Sequence, residues 1–509
     1  MSVARRLPVK FTASLLGVAL LGVALLLATA PASAQTTQAD ADALRTAIHG
    51  FFDRMIGVPT VADALTLKIT PAGDHLALEI GWPEIGPISG YKLTAGVVTA
   101  NAKALSGGRW AIDDIKLPAK IVGTGERTAE GGGKSIPIGF AMTIGAQASS
   151  MVFDPALATT STADSKLRDY DMTVETAQGT QTSHIDTLQG HSIWQPTSAG
   201  RIDMQSGSTL NNYTSTTPTP GGSPVNVSFD NIAFKAQVKN FAIGALGALL
   251  QDVIALGRAQ TGPDAKPGAP QDNPENKAMA RRALTVLGDS LDSMQADYVF
   301  SGLKIEAMGA NGGAQKISFG LHFGSEDGGL LASMPIQIEG IVTPDIVKGP
   351  IAEVMPRQIG LTPTISGISK AGITSLLQQG IDGTISGNAA WQAAAMKLLA
   401  DNPVTVGFEN LAVDFGVAHL EGDGELEVGS PTDLSGKAEF HATGLDALIK
   451  RATASPELKQ AAPVLIFLKG MGEQDGKEMV WKVGYEDGHL TVNGTDLSDL
   501  APSRSNTKK

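Results

Sequence analysis

Much of this chain is written with a period of two. Leu65, Leu67 and Ile69 alternate with Thr66, Lys68 and Thr70, and Leu76, Leu78 and Ile80 follow the Ala72-Gly73-Asp74 break. Near the other end Met479, Trp481, Val483 and Tyr485 alternate in the same way, with Leu490 and Val492 after them. Successive side chains of a strand point to opposite faces, so this spacing builds antiparallel sheets with one apolar and one wet face. Asn311-Gly312, Asp327-Gly328, Asp423-Gly424, Asp475-Gly476, Asp487-Gly488 and Asn493-Gly494 are read as hairpin tips. Such dipeptides reach the positive-φ turns that match strand twist.

Helical spacing interrupts the strands. Leu44, Ile48, Phe51, Phe52 and Met55 recur on one face, with Asp40 as a cap and Gly57-Val58-Pro59 as a stop. Residues 241–257 form a strongly apolar helix that needs a sheet to cover. A second helix runs from about Lys277 to Gln295, and shorter ones fall near 366–380, 389–400 and 444–460. Residues 155–222 are rich in Ser, Thr, Asn and Gln. They fit either a low-complexity insert or exposed strands with a threonine-rich face. Met172, Val174, Ile185, Leu188, Ile193 and Ile202 favour strands.

The expected fold is therefore α+β and β-rich, with long antiparallel meander sheets packed against several amphipathic helices. Pro224 to Lys235 echoes Pro403 to Asp414, which suggests tandem duplicated helix-plus-meander units. The expected organisation has a signal peptide over 1–34 and an N-terminal helix-plus-meander unit over 35–259. A Pro-rich linker over 260–276 leads to a C-terminal unit over 277–500 and a disordered tail over 501–509.

Arg5, Arg6 and Lys10 precede an apolar run from Leu15 to Ala30, and Ala32-Ser33-Ala34 has the small-x-small form of a cleavage site. This pattern predicts export to a periplasm with cleavage after Ala34. The alternative, a retained anchor, has a short run for a bilayer span. No other stretch is long and apolar enough to be a transmembrane helix. The chain contains no cysteine, which excludes disulfides, thiolate metal sites and a cysteine nucleophile. A net charge of −12 argues against general nucleic-acid binding, which needs clustered Lys and Arg.

Catalytic patterns are weak throughout, and no catalytic, cofactor-binding or metal residue is assigned. Thr128 to Ser135 approximates a phosphate loop but lacks its first glycine, and Ile136-Pro137-Ile138 follows instead of a helix. Ser89-x-x-Lys92 and Ser301-x-x-Lys304 lie in extended text, where Ser and Lys would not meet. The eight histidines are scattered; His184 and His191, with Asp186 between them, lack a third ligand in the sequence. Asp423, Glu425 and Glu427 lack the calcium-loop pattern. Trp82, Trp110, Trp194, Trp391 and Trp481 fit core packing better than a ligand groove.

Met355-Pro-Arg-Gln-Ile-Gly-Leu361 and the closing Trp481-Lys-Val-Gly-Tyr-Glu-Asp-Gly-His-Leu-Thr-Val-Asn-Gly494, together with the leader and the long meander, are similar to a group of uncharacterised alphaproteobacterial envelope proteins. The ending also resembles repeats of YdgA-like and AsmA-like periplasmic proteins. The resemblance implies elongated β-structure and, in some relatives, lipid handling; it brings no catalytic residues. A cleaved leader departs from the anchored AsmA-like plan.

The expected function is a non-enzymatic periplasmic role. The chain would bind a lipid or other apolar envelope ligand along a β-sheet groove. The alternatives are an envelope assembly or structural factor working through protein contacts and, third, an envelope hydrolase with a dispersed site. An apolar groove, an exposed sheet edge and convergent titratable groups would separate the three.

Overall fold

The computed structural model describes residues 35–55, 66–82, 85–88, 91–128, 135–157, 159–176, 179–198, 200–219, 222–242, 292–326, 329–383, 388–430 and 433–497, and six positions within 277–284. The expected leader, the linker, nearly all of the helix over 241–257, most of the helix over 277–295 and the core of the Thr128–Ser135 loop lie outside the described residues. The described fold is β-rich α+β, and its strand pairings are antiparallel. Among the described residues no helix is long and apolar enough to cross a membrane. The chain divides into two compact units. One comprises residues 1–221 and 240–269, the other 222–239 and 270–509.

The first unit opens with helix α1 (Gln38–Met55). Thr37 and Asp40 bond reciprocally at its start, the Thr37 N–H donating to the Asp40 carboxylate at 2.8 Å. Its strands are β1 (Thr66–Pro71), β2 (Leu76–Gly81), β3 (Ile85–Ile88), β4 (Tyr91–Thr94), β5 (Val97–Ala104), β6 (Trp110–Lys116), β7 (Lys120–Thr128), β8 (Ser135–Asp154), β9 (Thr159–Thr176), β10 (Gly179–Ser198) and β11 (Arg201–Thr217). The order β1-β2-β5-β6-β8-β9-β10-β11 follows from the pairings. Strand β8 is long enough to pair β7 along its first half and β6 along its second. Ala41, Leu44 and Ile48 of α1 insert between Leu76, Leu78, Val98, Trp110 and Phe153, which together form a closed apolar core. The polar stretch 155–222 is strand β9, β10 and β11, as its recurring aliphatics favoured.

The second unit holds most of β12 (Val225–Ala242), then β13 (Ser293–Ala307), β14 (Ala310–Glu326), β15 (Gly329–Ser333), β16 (Ile336–Val342), β17 (Gln358–Ser369), β18 (Val404–Asp414), β19 (His419–Ser430), β20 (Asp433–Thr443), β21 (Glu473–Asp475), β22 (Glu478–Glu486), β23 (His489–Val492) and β24 (Thr495–Asp496). Strands β15 and β16 act as one strand interrupted at Met334-Pro335. Both pair β14 on one side and β17 on the other. The rest is an up-and-down meander through β17, β18, β19, β20, β22 and β23.

A single helical turn, α2 (Pro350–Glu353), joins β16 to β17. Helices α3 (Lys370–Asp382) and α4 (Asn388–Asp401) join β17 to β18. The Ser369 hydroxyl caps α3 by accepting from the Gly372 N–H at 3.1 Å, so residues 366–369, expected as helix, belong to β17. Gly372 and Gly380 of α3 make room for Leu398 and Trp391 of α4. Helices α5 (Leu445–Ala454) and α6 (Ala462–Met471) follow β20. Helix α6 was not expected from the sequence, and 293–295, expected as helix, open β13.

Two expected turns are not turns. Asn311-Gly312 lies inside β14, and the hairpin reverses at Met308-Gly309, both at positive φ. Asp423-Gly424 lies in the middle of β19. There the Asp423 carboxylate accepts the N–H of Asn410, which sits at φ 55° in a bulge of β18. Asp203 serves Asn240 in the same way at 2.8 Å. Asp487-Gly488 and Asn493-Gly494 do reverse the chain at positive φ.

Candidate functional site

Register decides the character of the second unit's sheet. Ile232, Phe300, Ile317, Ile338, Ile359, Val413, Leu420, Ala442 and Met479 stand directly opposite one another across nine strands. An adjacent cross-strand row reads Asn231, Ser301, Lys316, Glu339, Gln358, Asp414, His419 and Thr443. The side-chain period is two, so a slip of one residue in any strand would mix these rows. The polar face is laced by cross-strand pairs such as Lys316–Glu339 at 2.7 Å and Lys437–Glu425 at 3.0 Å. These exposed pairs set register more than stability.

The apolar face has three parts. On β12, β13 and β14 a ladder of rings covers the sheet. Phe234 packs on Tyr298 with centroids 4.7 Å apart, Tyr298 stacks on Phe319 at 4.8 Å, and Phe229 meets Phe300 at 5.3 Å. At the far side Ala442, Trp481 and Val492 form a small buried cluster with Leu445 of α5 and Met471 of α6. Beside that cluster, toward the opposite ends of the strands, the face opens into a shallow groove of about 280 Å³ over β18, β19, β20 and β22.

Val406, Phe408, Leu426, Ala438, Val483 and Tyr485 line this groove, and Gly424 and Gly436 form its floor. Almost none of its lining is polar. The glycines explain the depression. A Cβ on Gly424 would strike the Phe408 ring and Ala438, and one on Gly422 would strike the Phe440 ring. Both rings lie down over glycine and stack with centroids 5.8 Å apart. Two aromatic residues thereby occupy a sheet surface that side chains at 422 and 424 would have filled.

Of the residues that the sequence offers for chemistry, Glu425 borders this groove, paired with Lys437, while Ser301, His184 and His191 do not. Ser301 and Lys304 lie on β13, and Lys304 pairs loosely with Asp230 at 3.6 Å. His184 lies between two carboxylates, with Nδ1 2.7 Å from Asp171 and Nε2 2.9 Å from Asp186. The hydrogen bond to Asp171 raises its pKa above the ordinary 6.5, with Asp186 adding to the effect. Asp186 is lowered, first by the Asn212 amide that donates to it and then by His184. His191 reaches Asp164, not His184. Among the described residues no three His, Asp or Glu side chains converge as metal ligands would. Asp423 is committed to Asn410, and Glu425 to Lys437.

Three of the five tryptophans pack against apolar neighbours or a glycine. Trp110 and Trp481 are buried in the two cores, and Trp391 covers Gly380. None lines the groove, although Trp481 borders it beside Val483. The groove residues were missed because alternation predicts only which face is apolar. The available signal was the set Gly422, Gly424 and Gly436 at even spacing inside strands, a pattern that marks close approach of another group. No protein-family model, no curated protein and no solved structure matches the chain.

Proposed function

We propose that this is a non-enzymatic envelope protein that binds the acyl chain of a lipid on the apolar face of its second unit. The observation that carries the reading is the groove over Gly424 and Gly436, lined by Val406, Phe408, Leu426, Val483 and Tyr485. An acyl chain needs length, apolar walls and no hydrogen-bonding partners, and burying it contributes about 0.8 kcal/mol per methylene. Catalysis would need convergent groups with shifted pKa in a concavity. Groups with shifted pKa such as Asp74 and His184 stand on exposed hairpin and strand positions of the first unit, and none lines the groove. The leader-like residues 1–34 support a periplasmic setting for this activity.

The test is native mass spectrometry of the protein purified from the envelope without detergent, before and after organic extraction. The expected result is a stoichiometric phospholipid adduct that disappears on extraction and is identified in the extract. A clean apo mass with an empty extract would overturn the stable-carrier reading and turn attention to protein partners.

A further inference from the structure

Adjacent strands of the first unit share a fault in their pleat. The pairing of β8 with β9 steps from Ile144–Tyr170 to Ala146–Arg168. That of β9 with β10 steps from Tyr170–Ile185 to Arg168–Thr187, and that of β10 with β11 from Ile185–Tyr213 to Thr187–Asn211. Gly145, Asp169, Asp186 and Asn212 are thus passed over in one row. Asp169 and Asn212 stand at φ 50° and 53°, in the left-handed region. Burial changes phase across the row. On β8 it goes from Ile144, an even position, to Met151 and Phe153, and on β11 from Ile202 to Ser215. Each strand therefore carries one extra residue at the same level, and register is kept on both sides. Ladder pairing lapses along this row, so side-chain bonds carry more of its cohesion.

Those bonds form a relay across three strands. The Asn212 amide of β11 donates to one Asp186 oxygen at 2.6 Å. The other Asp186 oxygen lies 2.9 Å from His184 Nε2, and His184 Nδ1 lies 2.7 Å from Asp171 of β9. A neutral imidazole has one N–H and one lone pair, so it donates to one carboxylate only. The imidazolium alone donates to both. His191 and His322 have one paired carboxylate each, Asp164 and Asp297, which a neutral ring satisfies. The charged groups around His184 are few. Strand β9 brings Asp171, with Asp169 and Arg168 at the row, and β10 brings Asp186. Strand β11 brings the uncharged Thr214 and Asn212, and β8 brings Thr143 opposite Asp171. Three carboxylates against one guanidinium favour the charged ring. The ring is 38 % exposed, so it exchanges protons with solvent.

We propose that His184 is a proton-operated clasp on this row. Its imidazolium ties β9, β10 and β11 together, and loss of the proton frees one carboxylate and lets the row open locally. In the neutral ring one nitrogen would turn a lone pair toward Asp171 or Asp186, so that contact must break. Hydrogen bonding to Asp171, then to Asp186, raises the folded pKa above the ordinary 6.5. The clasp is therefore closed below about 6.5 and opens as pH rises through the folded value. The apolar core under α1 includes none of the relay residues, which keeps the opening local. The clasp is independent of the acyl-chain reading, which concerns the second unit.

The test is amide hydrogen exchange of the exported full chain between about pH 5.5 and about pH 8.5, corrected for intrinsic exchange. Residues 76–81 of β2 serve as the internal reference. Protection over 168–171, 185–188 and 211–213 should fall about threefold more than the reference as pH rises. His184→Gln keeps an amide donor but cannot titrate, and it should abolish that difference. His191→Gln should leave it as in wild type. Nitrogen-15 NMR of the wild-type rings needs no variant. Both nitrogens of His184 should remain mostly protonated at about pH 6.5, where a free imidazole is half neutral. Three results would each overturn the clasp: a half-neutral His184 at that pH, no pH-dependent protection in wild type, or the same dependence in His184→Gln.

Discussion

Filling the groove should remove its ligand without unfolding the sheet, and Ala438→Phe is the substitution that does this. Ala438 stands between Gly424 on β19 and Val483 on β22, with its methyl group on the apolar face. Its methyl lines a groove of about 280 Å³, so a benzyl group at 438 would take up part of that volume beside the Phe408 ring. If the ring displaces about four methylenes of a bound chain, at about 0.8 kcal/mol each, the loss is about 3 kcal/mol. That corresponds to a fall of about two decades in affinity. The assay is titration of delipidated protein with an environment-sensitive fluorescent fatty acid. Circular dichroism and the urea midpoint report whether the fold survives. A folded Ala438→Phe that binds the probe with wild-type affinity would refute the placement of the ligand in this groove.

Leu44→Ala should destabilise the first unit by about 3 kcal/mol, because Leu44 is fully buried between α1 and the sheet. Hydrogen exchange in 76–81 and 97–104 would accelerate by about a hundredfold, and a change below about threefold would show that α1 is not part of the core. The His184 imidazole should titrate above 6.5 by NMR, and Asp171→Asn should bring its midpoint down. Because the folded value is raised, the His184–Asp171 contact stabilises the fold below the unfolded value near 6.5. That contribution is lost as pH rises through the folded value. An unchanged midpoint in the variant would remove Asp171 as the cause. Asp423→Ala should leave the Asn410 N–H without its 2.9 Å acceptor and lower stability by about 1 kcal/mol in urea unfolding. Asn410→Gly should be tolerated, and Asn410→Val should cost more, since φ there is 55°.

Local text was sufficient for much of the architecture. Alternation of Leu76, Leu78 and Ile80 is strand β2 because each is a core residue and Ala77 and Glu79 between them are not. The helical recurrence of Leu44 and Ile48 is α1 for the same reason. The turns at Asp487-Gly488 and Asn493-Gly494 were legible because a positive-φ pair in a hairpin is a requirement of the backbone alone. Asp423-Gly424 carries the same letters with another purpose. Its aspartate caps a bulge on the next strand and its glycine receives the Phe408 ring, and both partners are remote in sequence.

Helix α6 was hidden because an all-round apolar run has no period to read. It is a helix here because α5 and Trp481 hold it. Residue order alone therefore determined the strand-rich class, the two-faced character of the strands and the tight turns, since these depend on neighbours a few positions apart. Tertiary structure decided which faces align into one apolar surface, where glycines hollow it into a groove and which apolar helix is left uncovered. Those properties depend on cross-strand register, and register is a relation between residues up to 80 positions apart.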